Sequence, residues 1–165
     1  MSSVDRVRDY FSQRGVHITV KELSVSARTA QLAADAVGTP LGSIVKSLVV
    51  MAHERAVLVL VAGDQRADMD KVAHCVGVPS VRMANADQVR AATSYAIGGV
   101  PPVALGTSLE TFVDQTLLRF ERVWAAAGAP NALFEIEIKL LLELTQGRVA
   151  DIVVGDNKDQ GELWR

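Results

Sequence analysis

At 165 residues, with 49% hydrophobic and 22% charged residues, the chain has the composition of one folded globular domain rather than of a disordered or fibrous one. A formal net charge of −2 excludes an extended nucleic-acid surface, although a few cations around one cleft would barely alter the total. The lone cysteine, Cys75, excludes an intramolecular disulfide and a multi-cysteine metal site.

Val4, Val7 and Phe11 recur at helical spacing behind Ser3 as a cap, so an amphipathic helix opens the chain and Gly15 ends it. His17-Ile18-Thr19-Val20-Lys21 alternates as a strand does. After Ser26 a second helix places Ala30, Ala33, Ala34 and Val37 on one face until Gly38, Pro40 and Gly42 stop it. Ile44–Met51 and Ala56–Ala62 are β-rich runs separated by a spacing that suits a hairpin of central strands. Met69, Val72, Ala73 and Val76 mark a third helix, and Val81-Arg82-Met83 a short strand. Asn85 with Gln88 forms a capping-box pattern that opens another helix.

Gly98-Gly99-Val100-Pro101-Pro102 breaks any regular element, because glycine permits unusual backbone angles while proline fixes φ and removes a donor. Beyond it, Thr111–Val113, Phe120–Trp124 and Phe134–Ile138 read as strands, Leu140–Leu144 as a short helix and Val149–Val154 as a last apolar segment. With no internal repeat and no linker, the expectation is one compact α+β domain. Its mixed, mostly antiparallel β-sheet is flanked by helices. The domain is placed at residues 1–154, followed by a polar tail over 155–165. Residues 1–6 carry no leader pattern and no apolar stretch reaches about 18 residues. A soluble, cytoplasmic protein with no membrane and no DNA partner is therefore expected.

Lys46 stands out: a single ammonium inside Ile44-Val45-Lys46-Ser47-Leu48-Val49-Val50-Met51. Desolvation disfavours a buried charge, so such a lysine is rescued by a carboxylate, faces a cavity, or snorkels from an edge strand. Glycines at 98 and 99 would let the backbone approach a ligand and leave peptide groups free to read it. A phosphate-binding GxxxxGK[ST], a G-x-G-x-x-G after a strand, a G-x-S-x-G elbow and an H-E-x-x-H are all absent. His17, His53 and His74 lack the spacing of a metal site, and His74 and Cys75, being adjacent on a helix, diverge. Cys75 therefore reads as a core residue. No metal and no cofactor are expected.

Four stretches carry a resemblance. Ser26-Ala27-Arg28-Thr29-Ala30 leads into a helix; Ile44-Val45-Lys46-Ser47-Leu48-Val49 follows, then Tyr95-Ala96-Ile97-Gly98-Gly99-Val100-Pro101-Pro102, then Gly147-Arg148-Val149-Ala150-Asp151-Ile152. In this order, over roughly residues 4–154, they resemble the YbaK/EbsC family, which is related to the editing domain inserted in bacterial prolyl-tRNA synthetases. The resemblance implies a free-standing, trans-editing aminoacyl-tRNA deacylase that hydrolyses the ester of misacylated tRNA. Lys46 matches the family's essential lysine and would be the catalytic group. Gly98 and Pro102 match the ends of its G-x-x-x-P loop. With Gly99 between them, their backbone would position the aminoacyl group, and Ser47 stands where relatives often carry threonine.

One departure is visible. Relatives carry a G-x-R-G-like stretch where this chain reads Gly128-Ala129-Pro130-Asn131, so the arginine is missing. Asn131 either supplies a polar contact in its place or merely forms a turn with Pro130. The implied partners are the 3′ acceptor end of misacylated tRNA and an aminoacyl-tRNA synthetase. Ester hydrolysis develops negative charge on the carbonyl oxygen, which a fixed cation stabilises without a protein nucleophile. Two other readings stand beside this one: a non-catalytic adaptor that associates with a synthetase, and an unrelated small-molecule hydrolase.

Overall fold

The computed structural model describes residues 1–155; beyond Gly155, the polar tail expected from the sequence lies outside the described residues. Helix α1 (Ser3–Gln13) buries Val4, Val7 and Phe11, as their spacing requires, and is capped one residue earlier than expected: the Ser2 hydroxyl accepts the Asp5 N–H. Strand β1 is only Val20–Glu22. The alternating run before it does not pair, although Val16 and Ile18 still pack on the core. Helix α2 (Ala30–Val37) is capped by Thr29 and buries Ala33 and Ala34. A 3-10 turn, Leu41–Ser43, then delivers the chain to β2 (Val45–Ala52).

Strands β2 and β3 (Arg55–Ala62) form the expected hairpin, closed by His53 and Glu54, with His53 at φ +58. Helix α3 (Met69–Val76), strand β4 (Arg82–Met83) and helix α4 (Ala86–Thr93) follow, and the Asn85–Gln88 capping box is present with both reciprocal hydrogen bonds. After an irregular stretch come β5 (Thr111–Asp114), a 3-10 segment (Gln115–Arg119), β6 (Arg122–Ala126) and β7 (Ala132–Glu137). Helix α5 (Ile138–Thr145) and strand β8 (Arg148–Ala150) complete the order.

The strands divide between two sheets, a five-stranded one ordered β4-β2-β3-β5-β8 and a three-stranded one ordered β1-β7-β6. Four of the six pairings are antiparallel, while β3–β5 and β5–β8 are parallel. Because side chains alternate across a strand, β2 and β3 feed two cores. Val45, Val49, Leu58 and Leu60 face the main core, which they share with Phe11, Val123, Phe134 and Leu141. Val50, Val57, Val59 and Val61 face a second core under α3. Helix α2 covers the outer side of the small sheet, where Ala33 and Ala34 meet Leu133.

A parallel bridge between Ile44 and Trp124 stitches the two sheets at the start of β2. β4 pairs with β2 only at Val50 and Met51. Between these points, among the described residues, no strand pairs with β2 on the side away from β3. Among the described residues no helix is long and apolar enough to cross a membrane.

Candidate active site

The gap beside β2 is a cavity of about 590 Å³, lined from α2, β2, β4, α4, the 97–100 loop and the small sheet. It wraps the open edge of β2, so both faces of that strand contribute: Lys46 and Leu48 from one, Val45, Ser47 and Val49 from the other. The backbone contributes too. Ile44 C=O accepts Gly63 N–H on the β3 side, whereas Val49 C=O accepts Ala84 N–H on the opposite side. Alternation along an antiparallel pair then directs the peptide groups of Ser47 into the gap.

Lys46 is half-buried in this wall, its ammonium donating to the Gln65 carbonyl. Burial pushes its pKa down from the ordinary 10.5, and the nearby carboxylates of Asp64 and Asp114 push it back up. Neither carboxylate lines the cavity. Among the described residues, the lining holds two cations, Lys46 and the exposed Arg28, and no Asp or Glu. Such a site favours an anionic or anion-developing guest. Most of the remaining wall is apolar, with Leu41, Ile44, Val89, Val100 and Leu133 inside and the exposed Met83 and Ile97 at the mouth.

Beside Lys46, the Ser47 hydroxyl oxygen is buried and has no hydrogen-bond partner. A native fold rarely leaves a buried hydroxyl unmatched, and this one lies in the cavity wall.

The loop wall is built by sterics. Gly99 N–H donates to Ala96 C=O, closing a turn in which Gly98 takes φ +90, the conformation a type II turn needs at its third residue. A Cβ on Gly99 would lie 2.8 Å from Ala129 Cα, against backbone that cannot yield. The 98–102 loop therefore rests on the Gly128–Asn131 stretch, and the two segments that looked separate in the sequence form one wall.

Of the residues expected to form the site, Lys46, Ser47 and Gly98 line the cavity. Gly99 stands behind the lining as the contact that seats the loop. Pro102 is buried and borders a different cavity, of about 330 Å³, together with Tyr10, Arg14 and Thr145. Asn131 does not reach the lining: its C=O accepts Leu23 N–H, its side-chain amide donates to Leu23 C=O at 3.4 Å, and Pro130 C=O accepts Ala27 N–H. Asn131 thus fastens the segment that carries Arg28. Arg28, which also lines the cavity, belongs to no chemical motif in the sequence. Its signal was position, immediately before the cap of α2.

Comparisons with known proteins place the chain among related sequences and structures. The model of the aminoacyl-tRNA editing domain family matches residues 24–144. The chain is 32% identical over 148 residues to YwhH of Bacillus subtilis, an uncharacterised protein, covering 89% of this chain and 94% of that one. It is 26% identical over 125 residues to EbsC of Enterococcus faecalis, assigned by its name as a Cys-tRNA(Pro)/Cys-tRNA(Cys) deacylase, covering 75% and 76% of the two chains. A solved structure presented as a trans-editing enzyme for prolyl-tRNA synthetase superposes with a TM-score of 0.88 at 46% identity, over 94% of this chain and 99% of that one.

Proposed function

The chain belongs to the aminoacyl-tRNA editing domain family, whose relatives support a deacylase-type function, and from that premise we propose that it hydrolyses misacylated tRNA in trans. The observation that carries the reading is the Lys46 ammonium, held by a carbonyl in the wall of a cavity whose lining, among the described residues, carries no carboxylate. Residues 1–154 are the deacylase domain in this account. The partner is the 3′ acceptor end of a tRNA, with a prolyl-tRNA synthetase as the source of the mischarged substrate.

Water adds to the carbonyl carbon of the aminoacyl ester and places negative charge on the carbonyl oxygen. The carbon–oxygen bond to the terminal ribose then breaks, the ribose oxygen takes a proton, and free amino acid and uncharged tRNA leave. Lys46 acts as an electrostatic anchor for the developing oxyanion or the adjacent phosphate, a role worth more in a partly dry cavity than in water. The Ser47 hydroxyl and the backbone of the Gly98 turn cradle the aminoacyl group. Arg28, at the mouth, meets the phosphates. The apolar wall limits side-chain size, which is how a site of this kind separates amino acids.

Incubation with a panel of mischarged and correctly charged tRNAs tests the reading. The expected result is release of amino acid from at least one mischarged tRNA, with correctly charged tRNA untouched. Absence of release from every member of the panel, or equal turnover of simple amino-acid esters, would overturn it.

A further inference from the structure

Behind Lys46 lies a closed ring of contacts that the cavity lining does not reveal. The Ala62–Gln65 turn, closed by Gln65 N–H on Ala62 C=O at 2.9 Å, presents the carbonyl that receives the Lys46 ammonium. Asp64 in that turn is gripped by Arg119 through two hydrogen bonds, of 2.9 and 2.8 Å. Arg119 ends the 3-10 segment that Asp114 begins. The Asp114 carboxylate accepts from Thr116 N–H at 2.8 Å, from the Thr116 hydroxyl at 2.7 Å and from Ala62 N–H, across on β3, at 3.0 Å. The ring then closes through β3, since Val61 pairs with Lys46.

Asp114 is fully buried. A buried carboxylate held only by neutral donors is costly unless a cation lies close enough to answer its charge. Among the described residues, the charges that act on the Lys46 amine are the carboxylates of Asp64 from the turn and Asp114 from β5, while Arg28 lines the same cavity. Arg119, from the 3-10 segment, is hydrogen-bonded to Asp64 and also feels the charge of Asp114, so Lys46 and Arg119 share the answer to that buried carboxylate.

We propose that Asp114, acting with the Asp64–Arg119 pair, is the positioning device for Lys46. It fixes the turn whose carbonyl receives the ammonium and supplies the buried negative charge that keeps the amine a cation. The direction of the Lys46 titration agrees, because both carboxylates oppose the effect of burial. The proposal rests on the deacylase reading only for its consequence in turnover. The titration itself needs no substrate.

Competitive acylation of lysines with a small anhydride across pH, read by mass spectrometry at Lys46, gives the titration midpoint of that amine in the intact protein. In Asp114→Asn the midpoint should fall by about one pH unit, the order expected for removing one nearby opposite charge. In Arg119→Gln, which removes a like charge from the exposed end of the ring, it should not fall. The same ordering should appear in the alkaline limb of the deacylation profile. Where Asp114→Asn does not fold, as judged by its melting transition, Asp64→Asn at the exposed corner of the turn decides, again with a fall expected. An unchanged midpoint in the folded carboxylate variant would overturn the proposal even if deacylation itself is established. Loss of deacylation with an unmoved midpoint would reduce Asp114 to a structural residue.

Discussion

The two walls of the cavity are held by opposite means. The Lys46 wall is a strand edge backed by charges and hydrogen bonds, in which Gln65, Asp64, Arg119 and Asp114 fix one ammonium. The Gly98–Gly99 wall offers backbone flanked only by the apolar side chains of Ile97 and Val100, and is held by backbone contact with Ala129. The first can place charge. The second can only place shape. In this account, variants of the lysine wall therefore change the rate of the chemical step, whereas variants of the loop change which aminoacyl groups fit and how well.

The sharpest break of that division is Lys46→Ala, expected to lower the deacylation kcat/KM by about 100- to 1,000-fold, the range for losing one preorganised charge-stabilising group. Its thermal midpoint should hardly move, because burial already disfavours the cation. A large loss of stability would show that the lysine belongs to the fold instead. On the loop wall, Gly99→Ala forces a Cβ onto Ala129 backbone and should cost about 1–3 kcal/mol, as overpacking does. Gly98→Ala meets only the Pro130 ring at 3.6 Å but keeps φ +90, a conformation that costs an L-residue about 1–2 kcal/mol. Denaturant melts order the two, and both should raise KM more than they lower kcat. A kcat effect as large as that of Lys46→Ala would erase the distinction between the walls.

What the chain made legible, and what it hid, follows the same division. The β2–β3 hairpin and the α4 capping box were readable because their signals are local: two β-rich runs with a short spacing, and Asn85 three residues before Gln88. The splitting of the strands into two sheets was not, since β1 pairs with β7 across more than a hundred residues and no periodicity encodes that choice. The same holds in the site. Lys46 was conspicuous as a cation in an apolar run, and Gly98 as a turn-former. The ring behind Lys46 joins residues about 50 positions apart, Asp64 with Arg119 and Ala62 with Asp114, each ordinary in its own stretch of sequence. Pro102 and Asn131 shared the neighbourhood of the loop, but the chain direction carries one to the other cavity and the other toward Leu23.

The smallest expected effect sits next to Lys46 on β2. Ser47→Ala removes a buried hydroxyl that has no partner, so stability should hold or rise, by up to about 1 kcal/mol. Deacylation should nevertheless fall several-fold if the hydroxyl serves the guest. Lower stability with unchanged turnover would assign that hydroxyl to the fold and leave the cradle to the loop.

Whether Lys46 works as a cation or as a neutral base is read from the pH dependence of its contribution to turnover. Single-turnover deacylation rates of wild type and Lys46→Ala, measured on one mischarged tRNA from neutral pH upward, give that contribution as a ratio, which removes the general rise of ester hydrolysis with hydroxide. With the Lys46 pKa lowered below its ordinary 10.5 by burial, the cation is fully present below that lowered value and is lost as pH rises through it. A cationic Lys46 gives a ratio that is flat near neutrality and falls in the alkaline range before 10.5. A ratio that instead climbs as the amine loses its proton would contradict it and make Lys46 the general base.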